Sequence, residues 1–197
     1  MNNLEPAALN QVQQGNQEAF TNLVETFQRP VYNLCYRMLG DPDEAEDASQ
    51  ETFLRVYRNI RHYDPVRPFS TWLLSIAAHL CIDQLRKRHM VPVSIDTTPS
   101  LEPVDGSPGP EAAIYWLEDQ RRVQSLLATL NPNDRAAVIM YYWYDFSYEE
   151  IAKSLSLTPS AVKSRLHRAR LSMAQTWTKQ SGINFVLERN PHESSAF

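Results

Sequence analysis

Cysteine is nearly absent from this chain, with Cys35 and Cys81 the only two in 197 residues. Both fall inside apolar helical patterns, which favours two buried free thiols in a reducing cytoplasm over a disulfide or redox pair. Glycine is also scarce, at five residues, and no Gly-rich phosphate loop occurs. The histidines stand at 62, 79, 89, 167 and 192 and show no metal-ligand spacing with one another or with the cysteines. No metal and no cofactor is therefore expected. Long apolar runs are missing too, as is the basic-then-apolar start of a signal peptide, so no direct membrane insertion is expected. No alternating pattern long enough for a strand is found. These absences leave enzymatic readings little to stand on and predict an all-α fold.

What is present is a strong partition of charge. The formal net charge of −4 conceals it. Residues 41–51 hold six acids (Asp41, Asp43, Glu44, Glu46, Asp47 and Glu51) and no Lys or Arg. Residues 53–90 carry seven bases against two acids, residues 91–119 carry six acids and no base, and residues 151–180 carry six bases and no acid. Fields act within a Debye length, so the two basic blocks are candidate nucleic-acid surfaces despite the sum.

Periodicity and punctuation give the helices. Phe20, Leu23, Val24 and Phe27 repeat at helical spacing from Asn16, and Pro30 is expected to bend or restart that helix before it runs on to Gly40. Asp41-Pro42-Asp43-Glu44 reads as a capping box opening a helix with Ala45, Ala48, Phe53, Val56 and Ile60 inward. After Tyr63-Asp64-Pro65 a further helix puts Trp72, Leu73, Ile76, Ala77, Leu80 and Leu85 on its apolar stripe, which assigns Trp72 and Ile76 to the core. From Val91 to Pro110 five prolines and two glycines exclude regular structure and predict an extended acidic linker between two helical domains. Helix resumes near Glu111 with Val123, Leu127 and Leu130 inward, and Asn131-Pro132 starts a short helix ending around Tyr144. The expected organisation is a first domain over 1–90, the linker over 91–110, a second domain over 111–180 and a tail over 181–197.

The most informative stretch is Ile151 to Met173, IAKSLSLTPSAVKSRLHRARLSM. Ser147 and Glu150 form a capping box for the first helix of a helix-turn-helix. Thr158 can cap the second and Pro159 suits its first position. Val162, Leu166, Ala169 and Met173 lie on one stripe, and Ser160, Lys163, Ser164 and His167 on the opposite one, flanked by Arg165, Arg168 and Arg170. A helix with one buried side and one basic side suits the major groove.

Three stretches, DPDEAEDASQETFLRVYRNI, RPFSTWLLSIAAHLCIDQLRKRH and LATLNPNDRAAVIMYYWYDFSYEEIAKSLSLTPSAVKSRLHRAR, stand in this order around a linker. Together they resemble the extracytoplasmic-function (ECF) sigma factors of the sigma-70 family, two-domain bacterial initiation factors related to RpoE. The resemblance covers about residues 16 to 176. It implies a factor that binds core RNA polymerase and directs promoter-specific initiation, recognising the −35 and −10 elements and helping to open the DNA. The first domain then corresponds to sigma region 2 and the second to region 4. The acidic helix face with Asp47, Gln50 and Glu51 is assigned by the resemblance to the clamp helices of the polymerase's largest subunit. Candidates for the −10 element and the melted non-template strand are Arg58, Arg61, His62, Tyr63, Arg67, His79 and Arg86. Asn is common at the position of His79 in the family, so the preferred −10 base is left open. Candidates for double-stranded −35 DNA are Tyr148, Glu149, Ser160, Lys163, Ser164, Arg165, His167 and Arg168, with Arg165, Arg168 and Arg170 read as phosphate contacts. Asp96, Glu102, Asp105 and Glu111 of the linker suit either mimicry of a nucleic-acid backbone in a polymerase channel or simple solvation. An anti-sigma factor is a further implied partner, one that can hold a cytoplasmic bacterial factor at the inner membrane.

Two other readings compete. A recombinase with a terminal helix-turn-helix needs a catalytic domain, usually mixed with strands, where this chain offers helices. An ordinary repressor or activator needs a palindromic site and tight binding without polymerase.

Overall fold

The computed structural model describes residues 6–90 and 110–181, with side chains described over 6–88 and 118–180. Most of the expected linker (91–109) and of the expected tail (182–197) lies outside the described residues, as do the side chains of Asp96, Glu102, Asp105 and Glu111. Among the described residues the secondary structure is helical: α1 (Pro6–Gln13), α2 (Gln17–Leu39), α3 (Pro42–Asn59), a 3-10 turn (Ile60–His62), α4 (Phe69–Met90), α5 (Pro110–Ala128), α6 (Pro132–Tyr144), α7 (Tyr148–Leu155) and α8 (Pro159–Ser181).

Local chemistry sets the helix ends. The Asn16 side chain accepts from the Ala19 N–H at 3.0 Å to start α2. Gly40 ends it at φ 80, a left-handed conformation that glycine adopts without penalty, and its N–H donates to the Tyr36 carbonyl. Between them α2 runs unbroken through Pro30, where a bend or restart is the sequence expectation. Leu23, Phe27, Val31, Leu34 and Met38 are all buried on one stripe, and that packing carries the helix across the rung Pro30 lacks. At α3 only half of the expected capping box forms. Asp41 accepts from the Glu44 N–H at 2.9 Å, while the Glu44 carboxylate turns away to pair with Arg88 of α4.

Helices α2, α3 and α4 make a three-helix bundle, with Phe27, Phe53, Phe69, Leu73, Leu74 and Cys81 in its interior. Cys35 and Cys81 are both free and fully buried. A hydrogen bond with Cys35 and burial push the Cys81 thiol well above its ordinary pKa, so it is a packing group and not a nucleophile. The short α1, for which no sequence expectation was made, closes one end of the bundle with Leu9 and Val12. Gln13 at its end donates to the carbonyls of Ile60 and Tyr63 at 3.1 and 3.2 Å and so ties down the loop between α3 and α4.

Helices α5 to α8 pack directly on this bundle, and one apolar cluster runs from Leu9 to Ala169. Its centre is α6, where Ala136, Ala137, Val138, Ile139 and Met140 form an uninterrupted buried run. A helix apolar all round must be covered on every side, and α6 is covered by α2, α4, α7 and α8. Val123 of α5, expected inward, instead lies at the surface, 36% exposed.

The seam between the two groups of helices also has a polar part, built on the C-terminus of α2. The last carbonyls of a helix lack intrahelical donors. Gln124 donates to that of Arg37 at 3.3 Å and, beside the Gly40 N–H, to that of Tyr36 at 3.1 Å. Arg135 donates to Met38 at 2.5 Å, and its other donations, to Ala128 and Leu130 at 2.9 and 3.4 Å, hold the α5–α6 turn. Arg135 is buried, which lowers its pKa to about 10, so at neutral pH it remains a cation at the negative end of the α2 dipole. Tyr144 donates to the Pro30 carbonyl at 2.6 Å, and the Arg37 guanidinium lies 5.1 Å from the centre of the Trp143 ring.

Replacing Arg135 by Ala strips three carbonyls of a charged donor in a dry seam and should cost about 3 kcal/mol. Urea unfolding of Arg135→Ala against the unsubstituted chain measures it. A loss below ~1 kcal/mol would show that the guanidinium contributes little to the seam.

Candidate nucleic-acid interface

Three surfaces carry the residues singled out in the sequence. The first is a cavity of about 390 Å³ between the end of α3 and the start of α4, lined by Arg55, Asn59, His62, Trp72, Ser75, Ile76 and His79. Arg55, Asn59 and His62 stand at i, i+4 and i+7 along the end of α3 and its 3-10 turn. Trp72, Ser75, Ile76 and His79 lie along one face of α4. The cavity is therefore a groove between two helical stripes, lined by an aromatic, an aliphatic and several polar side chains. Its loop is rigidly braced: buried Tyr63 packs against Phe69 and Trp72, ring centres 5.3 and 5.1 Å away, and its hydroxyl donates to the Arg67 carbonyl.

Of the −10 candidates, His62 and His79 line this cavity, while Arg58 and Arg61 are exposed beside it at the end of α3 and in the turn. Tyr63 is a brace of the loop instead of a surface aromatic. Arg67 is exposed but lines the neighbouring cleft, and Arg86 lies two turns further down α4, within 3.5 Å of Asn133. Trp72 and Ile76, read from the sequence as core, do pack against the core cluster. Both are only partly buried and form cavity wall. Arg55, Asn59 and Ser75 were missed, although the i, i+4, i+7 relation of 55, 59 and 62 was available as a signal.

The second surface is the outer face of α3. Asp47 and Gln50 are exposed, and Glu51 is half-buried with its carboxylate on Arg55 Nε at 2.9 Å. Leu54 continues this stripe and is 51% exposed, an apolar contact in the middle of an acidic face. The apolar stripe used to find the helix could not flag it, because Leu54 lies on the opposite side.

The third surface is the helix-turn-helix. The capping box at Ser147 and Glu150 forms with both reciprocal bonds. Ser156 makes the turn at φ 55, Thr158 Oγ1 accepts from the Ala161 N–H at 3.2 Å, and Pro159 opens α8. Val162, Leu166 and Ala169 are buried with Met173 packed beside them, while Ser160, Lys163, Ser164, His167, Arg168 and Arg170 are exposed on the other side. Arg165 is the exception among the expected phosphate contacts. Its Nη1 donates to the largely buried Asp134 carboxylate at 2.8 Å and so ties α8 to α6. Tyr148 is half-buried, stacked on Tyr141 at 5.5 Å between ring centres, and Glu149 is exposed.

The helix-turn-helix also meets the first bundle. Thr71 of α4 donates to Glu150 at 3.3 Å, and a cleft between α4 and α7 is lined by Arg67, Thr71, Trp72, Ser75, Glu150 and Lys153. Trp72 and Ser75 thus belong to both the cavity and the cleft.

Comparison with known proteins assigns this architecture. Residues 23–90 match the family model for sigma-70 region 2, and residues 120–173 match that for sigma-70 region 4. The chain is 37% identical over 169 residues to the ECF RNA polymerase sigma factor SigW of Bacillus subtilis strain 168, covering 82% of this chain and 90% of the relative. It is 31% identical over 166 residues to the RNA polymerase sigma-H factor of Pseudomonas aeruginosa, covering 81% of this chain and 86% of the relative. Among solved structures, CnrH in complex with the cytosolic domain of CnrY matches at a TM-score of 0.64 with 26% identity, covering 88% of this chain and 96% of that one. The chain belongs to the ECF sigma factors of the sigma-70 family. It is a promoter-recognising factor for transcription initiation, a class that works by binding core RNA polymerase and promoter DNA. Among the described residues no helix is long and apolar enough to cross a membrane.

Because Asp134 and Arg165 are 31 positions apart and largely shielded, their pair should act on stability. A double-mutant cycle of Asp134→Ala and Arg165→Ala, followed by urea unfolding, should give a coupling of about 2 kcal/mol. A coupling near zero would return Arg165 to the set of DNA-facing cations.

Proposed function

We propose that the two exposed basic surfaces read two parts of one promoter. The cavity beside α4 receives an unpaired base of the melted non-template strand at the −10 element. Its size, its aromatic floor at Trp72 and its polar rim at His62 and His79 support this, since single strands are held by stacking with cations on the backbone. Arg58, Arg61 and Arg67 supply those cations around the loop, and Arg86 extends the basic track along α4. On the second surface, α8 enters the major groove of the −35 element. Lys163 and Ser164 reach base edges from its first two turns, with Ser160 and His167 adjoining them. Arg168 neutralises phosphate, and Tyr148 and Glu149 flank the duplex from α7.

Asp47, Gln50, Glu51 and Leu54 dock on the clamp helices of the polymerase. Acidic groups around an exposed leucine suit a basic partner with an apolar centre. The factor contributes position, base choice and strand capture, and the polymerase makes the bonds, so no catalysis is assigned to the chain itself. The division into a region 2 domain over 1–90, a linker over 91–110 and a region 4 domain over 111–180 is part of this reading, supported by family-model matches at 23–90 and 120–173. The chain acts in the bacterial cytoplasm, and an anti-sigma factor controls it. CnrH, solved with the cytosolic domain of CnrY, supports a protein regulator on this frame. The observation that carries the proposal is the cavity, which lies in the segment matched as region 2 and is open to solvent in basic surroundings.

Transcription in vitro with core polymerase and a promoter library tests it. Transcripts from a distinct promoter class should appear only when the chain is added. Lys163→Ala should change which −35 sequences are used, whereas Arg168→Ala should weaken all of them and reduce the salt slope of binding by about 1. Silence across the library, with the chain shown to be folded, defeats the proposal.

A further inference from the structure

The loop between α3 and α4 holds its own shape. Asp64 closes its tip, accepting from the Val66 N–H on its carboxylate at 3.0 Å and from the Arg67 N–H on its carbonyl at 3.1 Å. The Tyr63 hydroxyl donates to the Arg67 carbonyl, and the Tyr63 N–H donates to the Ile60 carbonyl at 3.1 Å. All these bonds run within residues 60–67, so they fix the form of the loop and not its pose on the bundle. The pose is set from outside. The rings of Phe69 and Trp72 press on Tyr63 from α4, and the amide of Gln13 meets the loop from α1. Gln13 Nε2 has two hydrogens and uses both, one on the Ile60 carbonyl at 3.1 Å and one on the Tyr63 carbonyl at 3.2 Å. Among the described residues these are the hydrogen bonds from α1 to the loop. Further along, a groove of about 460 Å³, lined by Pro6 and Asn10 on one side and Val66 and Pro68 on the other, separates α1 from the loop tip. Helix α1 is itself anchored independently, with Leu9 and Val12 buried and Gly15, at φ 89, turning the chain into the Asn16 cap of α2.

We infer that Gln13 is a positioning residue for promoter opening, acting through the pose of the loop that presents Arg61 and His62 to the melted strand. This rests on the strand-capture reading above and adds a residue outside that surface, 47 positions from the first carbonyl it holds. Arg61 and His62 are exposed and stand between the two carbonyls that Gln13 holds. Fastening both ends of that segment to one nitrogen gives the two side chains a set direction before any strand arrives. Less ordering is then left for the binding step, which is how pre-organisation strengthens a complex. Methionine at 13 has nearly the same length and no donor, so the loop would keep its internal bonds and be free to tilt. Glutamate would set a carboxylate against two carbonyl oxygens, whereas lysine would keep the donors. Gln14 supplies a contrast on the same helix, because it is exposed and its amide donates to the Asn10 side chain at 3.3 Å.

The test uses holoenzyme assembled from the full chain and core polymerase on a duplex promoter selected from the library above. Opening is read from the fluorescence of 2-aminopurine in the −10 region, and core binding from a separate titration. Gln13→Met should lower the opening equilibrium about 10-fold while core affinity stays the same. Gln13→Asn keeps the amide without the reach and should show the same split, which covers the case of a Gln13→Met chain that does not fold. Gln13→Lys should return opening to within about 3-fold of the unsubstituted chain, and Gln14→Ala should leave it unchanged. A merely structural role would lower core binding and opening together. Action through the loop also predicts coupling: Arg61→Ala should reduce opening about 5-fold alone and about 2-fold or less beside Gln13→Met. Unchanged opening in the folded Gln13 variants, an equal loss of core binding, or simple additivity with Arg61→Ala overturns the inference. If Arg61→Ala and His79→Ala each leave opening by the unsubstituted background unchanged, the strand-capture reading fails and this inference falls with it.

Discussion

The structure depends on how the C-terminus of one helix is completed. Helix α2 ends at Leu39 with carbonyls that need donors, and those donors come from α5, α6 and α4 through Gln124, Arg135 and Arg88. A buried guanidinium without a carboxylate partner is ordinarily unfavourable. Here the α2 dipole supplies negative potential, and carbonyls accept from both terminal nitrogens, while Nε is buried without a partner. This seam fixes α6 against α2 and α4, and α6 in turn holds α7 and α8. The orientation of the helix-turn-helix relative to the first bundle is thus traceable to a set of hydrogen bonds on one helix end. Capping of this kind is directional, whereas the apolar contacts of Ala136 to Met140 are not. The apolar run supplies the burial and the polar seam supplies the register.

Charge is distributed so that stability and recognition do not compete. Of the groups in the seam, Arg135 is buried and Arg37 half-buried, and burial lowers the pKa of both. The groups assigned to DNA, such as Lys163, Arg168, Arg58 and Arg61, are exposed and make no ion pair among the described residues. Exposed unpaired cations are costly to nothing in the fold and are free to meet phosphate. Arg165 shows the contrast: the same residue type, one turn away, is drawn inward by Asp134 and serves to fix α8 on α6.

Much of this was legible in the residues. Caps at Asn16, Asn131, Ser147 and Thr158 are local signals, complete within four residues, and all four form. Helix α8 was legible because its buried and exposed stripes are both strict. What escaped the sequence involves partners far apart or a space instead of a residue. Glu44 satisfies the spacing of a capping box, but Arg88, 44 positions on, offers it a charge. Trp72 and Ile76 satisfy the period of a core stripe, but the stripe of α4 is wider than the core beneath it, and its edge becomes a cavity wall. Periodicity reports which face is apolar and not how far coverage extends. Arg135 gave no signal at all, since only the position of the α2 terminus makes a buried cation tolerable there.

The cavity proposed to capture a base is built on helices and on a braced loop. A loop alone would be too mobile to hold polar groups within a few tenths of an ångström. Here the loop between α3 and α4 is pinned by Gln13 from one side and by the Tyr63, Phe69 and Trp72 rings from the other. Asn59, Ser75 and His79 are held by carbonyls of the helices that carry them. Trp72 and Ser75 form the wall between this cavity and the cleft against α7. Rigidity on the cavity side is therefore partly supplied by the helix-turn-helix packed behind it, and the cavity and the cleft share a single structural support.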